Sequence, residues 1–308
     1  MKKTILLIII SLFFLTTLQA QDQPPVSEWD FGGTSRLNFS QVNLTNWVAG
    51  GQNSLSLNGL VNFHAHKSKG KGKWENFLEL GYGIINQGEN SWIKTDDRID
   101  FTSKYGQKIN AKWSYAALLN FKTQFSDGYN YPNDSVKISG IFSPAYFLES
   151  FGMDFKPNEH FNVYIAPFTL KATIVGNQDL ANAGAFGVEA AERDSAGNIT
   201  RESEKIRTEF GGYVRLYLNY DIMKNVGLTS KAELFSNYLE NTKNVDVNWE
   251  VLLSLKVNKY ISATLSTQLL YDDDIEIAVD KNNDDITDYL GPTIQFKEVL
   301  GLGVTFTL

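Results

Sequence analysis

The chain has 308 residues and is acidic, with 28 Lys and Arg against 35 Asp and Glu and a formal charge of −7. This balance argues against nucleic-acid binding as the main function, since phosphate-binding proteins carry basic surfaces. The chain has no cysteine, which excludes a disulfide framework, a thiolate metal site and a cysteine nucleophile.

Residues 1–20 have the pattern of a secretory signal peptide. Lys2 and Lys3 supply a positive start, residues 5–15 are almost unbroken hydrocarbon, and Ala20 ends a short small-residue cleavage pattern. The apolar run is too short to anchor the chain in a bilayer, which takes about 20 residues. We expect a mature chain that begins after Ala20 and carries a formal charge of −9, because 28 basic residues become 26 against 35 acidic ones.

Beyond residue 20 no apolar run approaches the length of a membrane helix, and the mean hydropathy is −0.23. Aromatic residues make up 13 % of the chain, which favours strands. If the mature chain lies in a membrane, it must therefore do so as a closed sheet, because backbone groups in hydrocarbon have to be paired internally.

A period of two recurs along the sequence. Between Val245 and Val257 every odd position is apolar, whereas the even positions are mostly polar or charged. Glu149 and Lys171 fall on the wrong parity for simple strands, which a β-bulge or a position beyond the hydrocarbon would explain. The pattern predicts twelve strands: 34–41, 54–66, 74–86, 97–108, 111–125, 141–156, 160–174, 207–220, 226–239, 245–257, 261–271 and 300–308.

Strand length and connections favour a transmembrane antiparallel up-and-down β-barrel. Most predicted strands have roughly 9–15 residues, whereas soluble strands average about 5–6. Connections alternate between short turns (67–73, 108–110, 157–159, 221–225, 258–259) and mostly long loops (42–53, 87–96, 126–140, 175–205, 240–244, 272–292). We therefore predict a periplasmic segment at 21–33 and a barrel of about 12 strands at 34–308, closed by the pairing of its last strand with its first.

Repeated glycine motifs carry a resemblance. Residues 29–39 begin Trp-Asp-Phe-Gly-Gly and are echoed by Trp-Val-Ala-Gly-Gly at 47–51, with further glycine motifs at 184–188 and 291–301. With these motifs the chain resembles an uncharacterised family of Gram-negative outer-membrane β-barrel proteins, described as a domain of unknown function, over essentially the whole mature length. The resemblance implies the barrel and supplies no activity.

Alternation assigns a charged set to the barrel interior. The signs are nearly balanced, which suits either a narrow, weakly selective pore or a lumen closed by ion pairs. The candidate lumen-lining residues are Arg36, His64, His66, Glu79, Lys112, Lys122, Arg215, Lys231, Glu233, Glu250 and Lys256.

Two features have a possible metal chemistry. His64 and His66 share one face and could hold a metal or shuttle protons, although ordinary lumen polarity is the favoured interpretation. Asp280, Asn282 and Asp284 match the first half of a calcium loop, but Asp285 stands where the turn glycine belongs, so only a looser Ca²⁺ contact or a solvated acidic loop is expected.

The leading functional hypothesis is a porin-like channel for small solutes in the cell outer membrane. The alternative is a closed structural or docking barrel whose extracellular loops bind a partner or lipopolysaccharide. A barrel hydrolase comes third, and we expect no enzyme because no nucleophile elbow is present. The expected partners are outer-membrane lipid, lipopolysaccharide and the barrel-assembly machinery, with no cofactor. Loop 175–205 is too long for a simple connector and is expected to fold inward or to reach a partner.

Overall fold

The computed structural model describes residues 29–44, 52–88, 92–131, 133–279 and 288–307. The predicted signal peptide, the repeat at 47–51 and the acidic positions Asp280, Asn282 and Asp284 lie outside these ranges. None of the helices in the described ranges is long and apolar enough to cross a membrane.

Twelve long strands form one closed antiparallel barrel. Their alternating sequences place one side chain in two on each face of the sheet, as the period of two predicts. The strands are β1 (Trp29–Val42), β2 (Ser54–Lys69), β3 (Gly72–Gln87), β4 (Ile93–Lys108), β5 (Trp113–Thr123), β6 (Ala145–Phe155), β7 (Phe161–Ile174), β8 (Ile206–Met223), β9 (Val226–Asn237), β10 (Asp246–Lys256), β11 (Ile261–Tyr271) and β12 (Gln295–Thr307).

Each strand pairs with the next along the chain, and β12 pairs with β1 over the register Thr34↔Thr307 to Asn38↔Gly303. The predicted strand number and the predicted closure are therefore confirmed. The first strand begins at Trp29 rather than at residue 34, because Trp29 to Gly33 pair with β2, and the last begins at Gln295 rather than at residue 300.

The connections differ between the two ends of the barrel. At one end, the short-turn end, each turn has five or fewer residues, and the chain passes from β2 to β3 through Gly70 and Lys71 alone. The turn predicted at 67–73 is thus reduced to two residues: Gly70 adopts a φ of +60°, and the two strands extend to Lys69 and from Gly72. The opposite end, the long-loop end, carries the connections 124–144, 175–205 and 272–294.

Three connections at the long-loop end carry short hairpins of their own. The paired strands are Gly128–Tyr129 with Lys137–Ser139, Glu192–Arg193 with Ile199–Arg201, and Ile277–Val279 with Tyr289–Gly291. Loop 175–205 also contains helix α1 (Gln178–Asn182) and a 3₁₀ turn at Ala185–Gly187.

A β-bulge explains one of the two positions of wrong parity. Opposite Gly211 to Tyr213 of β8, strand β7 has one extra residue, near Pro167. Proline is tolerated at a bulge because it has no backbone N–H to donate to a neighbouring strand. The bulge shifts the parity of the residues that follow, so Lys171 faces inward. Glu149 lies on regular β6 and faces outward, where it is exposed.

The outer face of the barrel is apolar and exposed. Phe151, Phe168 and Leu300 are 63 %, 62 % and 76 % accessible, and many aliphatic and aromatic neighbours on alternate positions are similarly open. Some of the exposed aromatic rings lie at strand ends, among them Trp74 and Tyr260 near the short-turn end. Buried polar side chains such as Asp100 and Glu233 lie inside instead, which is the inverse of a soluble core.

Candidate functional site

The register between neighbouring strands sets opposite charges side by side on the inward face. Lys231 of β9 lies opposite Glu250 of β10, and Glu233 of β9 lies opposite Arg215 of β8. Cross-strand pairs of opposite charge stabilise a sheet locally. These side chains are therefore held in place by their neighbours on the sheet, independently of any contact across the lumen.

A second set of contacts crosses the lumen itself. Arg98 of β4 donates from Nη1 to Oε2 of Glu250 on β10 at 3.0 Å, and its Nη2 lies 2.7 Å from Oε1 of Glu79 on β3. Strands β4 and β10 are six positions apart in a ring of twelve, so this guanidinium joins opposite walls. A direct ion pair between opposite walls leaves no open passage along that line.

Two lysines extend the same set of contacts. Lys231 Nζ lies 3.4 Å from Oδ2 of Asp100 on β4 and 3.3 Å from Oε1 of Glu250. Lys122 of β5 donates to Oε2 of Glu233 on β9 at 2.6 Å. We call these seven side chains the crossing network: Glu79, Arg98, Asp100, Lys122, Lys231, Glu233 and Glu250.

Packed aromatic side chains fill one side of the lumen beside the crossing network. Tyr164, Tyr213 and Phe235 are almost fully buried and belong to one cluster with Ala116 and Leu118. The Tyr213 hydroxyl donates to Oε1 of Glu233 at 2.8 Å, which links the aromatic cluster to the crossing network. Side chains can fill a barrel of modest size in this way.

The long-loop end holds further ion pairs. Lys171 of β7 donates to Oδ2 of Asp246 at 2.6 Å and lies 3.4 Å from Glu209 Oε2. Arg207 pairs with Glu209 and with Asp274, the latter in the connection after β11. These contacts tie β7 and β8 to the wall three to four strands away.

Part of loop 175–205 lies against this mouth, whereas its hairpin at 192–201 is exposed. Its 3₁₀ turn contacts the lumen wall, because the carbonyl of Gly187 accepts a hydrogen bond from Arg207 at 2.9 Å. The loop is held from within by a small apolar cluster of Val175, Ala181 and Val188. Both properties favour a constriction over a flexible connector.

The short-turn end is open and basic. A cavity of about 700 Å³ enters the lumen between β1 and the adjoining ends of β8, β9 and β10. Arg36, Lys224 and Lys256 line it against the single carboxylate of Asp221. The Nε and Nη1 atoms of Arg36 are buried and have no hydrogen-bond partner among the described residues.

Two histidines meet a carboxylate near the same end. His64 and His66 of β2 stack with ring centroids 4.7 Å apart. One ligand atom from each ring and one carboxylate oxygen of Asp30 on β1 all lie within 4.8 Å of one another.

The structure places most sequence-predicted site residues on inward positions of the barrel. These are Arg36, His64, His66, Glu79, Lys122, Arg215, Lys231, Glu233, Glu250 and Lys256. Lys112 is the exception and needs correction, because it lies exposed in the turn between β4 and β5, outside both strands.

Sequence reasoning missed several of the side chains that bridge the lumen. Arg98 shares parity with Asp100 and could have been found from the same alternation. Lys171 could not, since the bulge near Pro167 reverses its parity. Asp30 was missed because the first strand was expected to begin after it.

Comparison with known proteins finds a match to a family of unknown function. Residues 39–129 match the family described as "Protein of unknown function (DUF3078)". The expected resemblance to a domain of unknown function is thus confirmed over this segment, which is shorter than the whole mature chain over which it was expected. No curated protein matches the chain.

Several solved structures are similar to this chain. One is an outer membrane channel from Pseudomonas putida F1, with 11 % sequence identity and a TM-score of 0.41. The alignment covers 93 % of this chain and 100 % of the channel's chain. The NanC porin aligns with 89 % and 99 % at 11 % identity and a TM-score of 0.37. The translocator domain of the autotransporter NalP from Neisseria meningitidis aligns with 99 % and 97 % at 10 % identity and a TM-score of 0.29.

Proposed function

We propose that this protein is an outer-membrane β-barrel whose lumen is closed at mid-height by the crossing network. The outer-membrane location is supported by the outer face, since apolar area as open as Phe168 and Leu300 would aggregate in water. The short turns would then face the periplasm and the long loops the cell exterior, as in other outer-membrane barrels.

The single observation that carries the closed lumen is the ion pair between Arg98 and Glu250, which joins opposite walls. The aromatic cluster around Tyr164 and Tyr213 supports the same conclusion, because it fills the side of the lumen next to the crossing network. A closed structural or docking barrel is therefore better supported than a constitutively open porin-like channel. The long loops are the surface we propose for binding lipopolysaccharide or a partner.

Planar-bilayer conductance tests the closed lumen. We expect the wild-type protein to give no steady conductance, and the double variant Arg98→Ser/Lys231→Ser to conduct, because two of the three cations of the crossing network are gone. The matched control is Lys224→Ser/Lys256→Ser. It also removes two cations, but these lie at the short-turn end of the lumen, so the crossing network stays intact.

Each result decides a different part of the proposal. Steady conductance of the wild type would overturn the closed lumen and restore the porin-like channel. A silent Arg98→Ser/Lys231→Ser variant, verified as folded by a shift on an unboiled gel, would show that Arg98 and Lys231 are not what closes the barrel.

A gated channel is the second candidate, and the basic cavity at the short-turn end favours it. Rings of one sign select ions of the other, and Arg36, Lys224 and Lys256 outnumber Asp221 there. If the Arg98→Ser/Lys231→Ser variant conducts, its reversal potential in a salt gradient should report a preference for anions. A cation preference would count against this candidate.

A further inference from the structure

We propose that Asp30, His64 and His66 form a binding site for a divalent transition-metal ion at the short-turn end of the lumen. The proposal does not depend on whether the barrel conducts. It rests on the arrangement of three side chains from two paired strands, together with one buried nitrogen atom that has no hydrogen-bond partner among the described residues.

The strand register brings the three ligands together. Asp30 of β1 pairs directly with His66 of β2, and His64 lies two residues earlier on the same inward face. Their ligand atoms already lie within 4.8 Å of one another. Bonds of about 2.0–2.2 Å to a central ion require ligand atoms roughly 3–3.5 Å apart, which small side-chain rotations achieve.

His66 supplies the observation that points to a ligand. Its Nε2 atom is buried and has no hydrogen-bond partner among the residues that the structure describes. Phe77 holds the ring edge-on with centroids 5.0 Å apart, which fixes its orientation. A buried ring nitrogen without a partner is costly unless something else occupies its lone pair, and a metal ion does so.

His64 can take its position because its partner on β1 is a glycine. A Cβ atom on Gly32 would lie 2.6 Å from Cε1 and 2.7 Å from Nε2 of His64. The imidazole therefore rests against the bare backbone of Gly32. Any larger residue at this position would displace the ring from where it now lies.

The nearest other carboxylate is already occupied. Glu75, opposite His66 on β3, accepts from Lys73 at 2.5 Å and lies 3.5 Å from Lys104. Asp30 has no cation partner among the described residues, so it is the carboxylate available to a metal.

The ligand types determine the class of ion. Two imidazoles and one carboxylate suit Zn²⁺, Co²⁺ and similar first-row ions, whereas Ca²⁺ and Mg²⁺ prefer oxygen ligands alone. Three protein ligands leave a position open for water or for a small ligand that enters through the lumen.

Isothermal titration of the folded barrel with Zn²⁺ tests the site, with protein purified without a histidine tag. Excess Mg²⁺ in the buffer fills oxygen-only clusters such as Asp246, Asp272 and Asp274. We expect saturable uptake of one Zn²⁺ per chain, and a visible absorption band of tetrahedral character when Co²⁺ replaces Zn²⁺.

Variants separate this site from general histidine binding. His64→Ala and His66→Ala should abolish the uptake. Asp30→Asn should weaken Zn²⁺ binding by more than about 100-fold, because changes outside the first ligand shell already cost roughly 10–100-fold. Gly32→Val should weaken binding without removing a ligand. His160→Ala is the matched control, since His160 is the remaining histidine and its Nδ1 lies 3.0 Å from the Asn219 carbonyl.

An unboiled gel verifies that each variant is folded. The proposal is overturned if the folded wild-type protein shows no saturable Zn²⁺ uptake, or if His66→Ala binds as tightly as the wild type. Equal losses in His160→Ala and His66→Ala would likewise overturn it, because they would indicate unspecific binding.

Discussion

The two halves of the lumen use similar residues and differ in how they are paired. Toward the long-loop end, Lys171, Arg98 and Lys231 each contact at least two carboxylates. Toward the short-turn end, Lys104 still pairs with Glu75 and Asp154, but Arg36 and Lys256 line an open cavity and form no ion pair within the described ranges. In the proposed closed lumen, what matters is which charges meet across the barrel rather than how many face inward.

Pairing has opposite consequences in the two halves. A buried charge with good partners holds the walls together, and removing one partner leaves the other uncompensated. A buried charge without a partner destabilises the folded barrel, and it can bind an ion of opposite sign. The paired charges are therefore structural, whereas the cavity lined by Arg36 and Lys256 at the short-turn end is available for binding.

The largest expected effect comes from breaking the crossing network at one lysine. Lys231→Met leaves Asp100 and Glu250 with one partner fewer inside the lumen, and we expect the free energy of unfolding to fall by about 3 kcal/mol. A urea titration of the folded barrel, read from the gel shift between folded and unfolded forms, measures the loss.

The control for this loss is a lysine in the other half. Lys256→Met removes the same charge from an inward position of β10, and we expect a change within about 0.5 kcal/mol. Equal losses in both variants would contradict the distinction between the two halves.

A smaller effect is expected from one hydroxyl on β8. Tyr213→Phe removes the donor to Glu233, and hydrogen bonds to charged groups contribute about 1.5–3 kcal/mol. We expect a lower urea midpoint within that range, with the aromatic packing of the ring preserved.

Tyr217 provides the comparison because it lies on the same inward face of β8, closer to the short-turn end. Its hydroxyl makes no hydrogen bond within the described part of the chain, so Tyr217→Phe should change the unfolding free energy by less than about 0.5 kcal/mol. A larger loss at Tyr217 than at Tyr213 would reverse the comparison.

The smallest expected effect has the opposite sign. Arg36→Met removes a guanidinium whose Nε and Nη1 atoms are buried and have no hydrogen-bond partner in the described part of the chain, and we expect the barrel to become more stable by about 1 kcal/mol. Sulfate should raise the urea midpoint of the wild type more than that of Arg36→Met. A destabilised variant would indicate that Arg36 has a structural partner.

The sequence by itself determined the class of fold, because alternation with long strands has few stable outcomes. It predicted twelve strands, the pairing of the last with the first, and the inward parity of Lys122, Lys231 and Glu250. It missed the start of β1 at Trp29, since the glycines at 32 and 33 interrupt the apolar alternation there.

Tertiary structure alone decided which inward charges meet. Period two assigns a side chain to a face but carries no information about the opposite wall, so the contact between Arg98 and Glu250, 152 positions apart, is invisible in the sequence. The bulge near Pro167 and the placement of Asp30 beside His66 depend likewise on the register between strands. Faces are local properties of a strand, whereas closure and ligand sets arise from the way the whole barrel brings distant strands together.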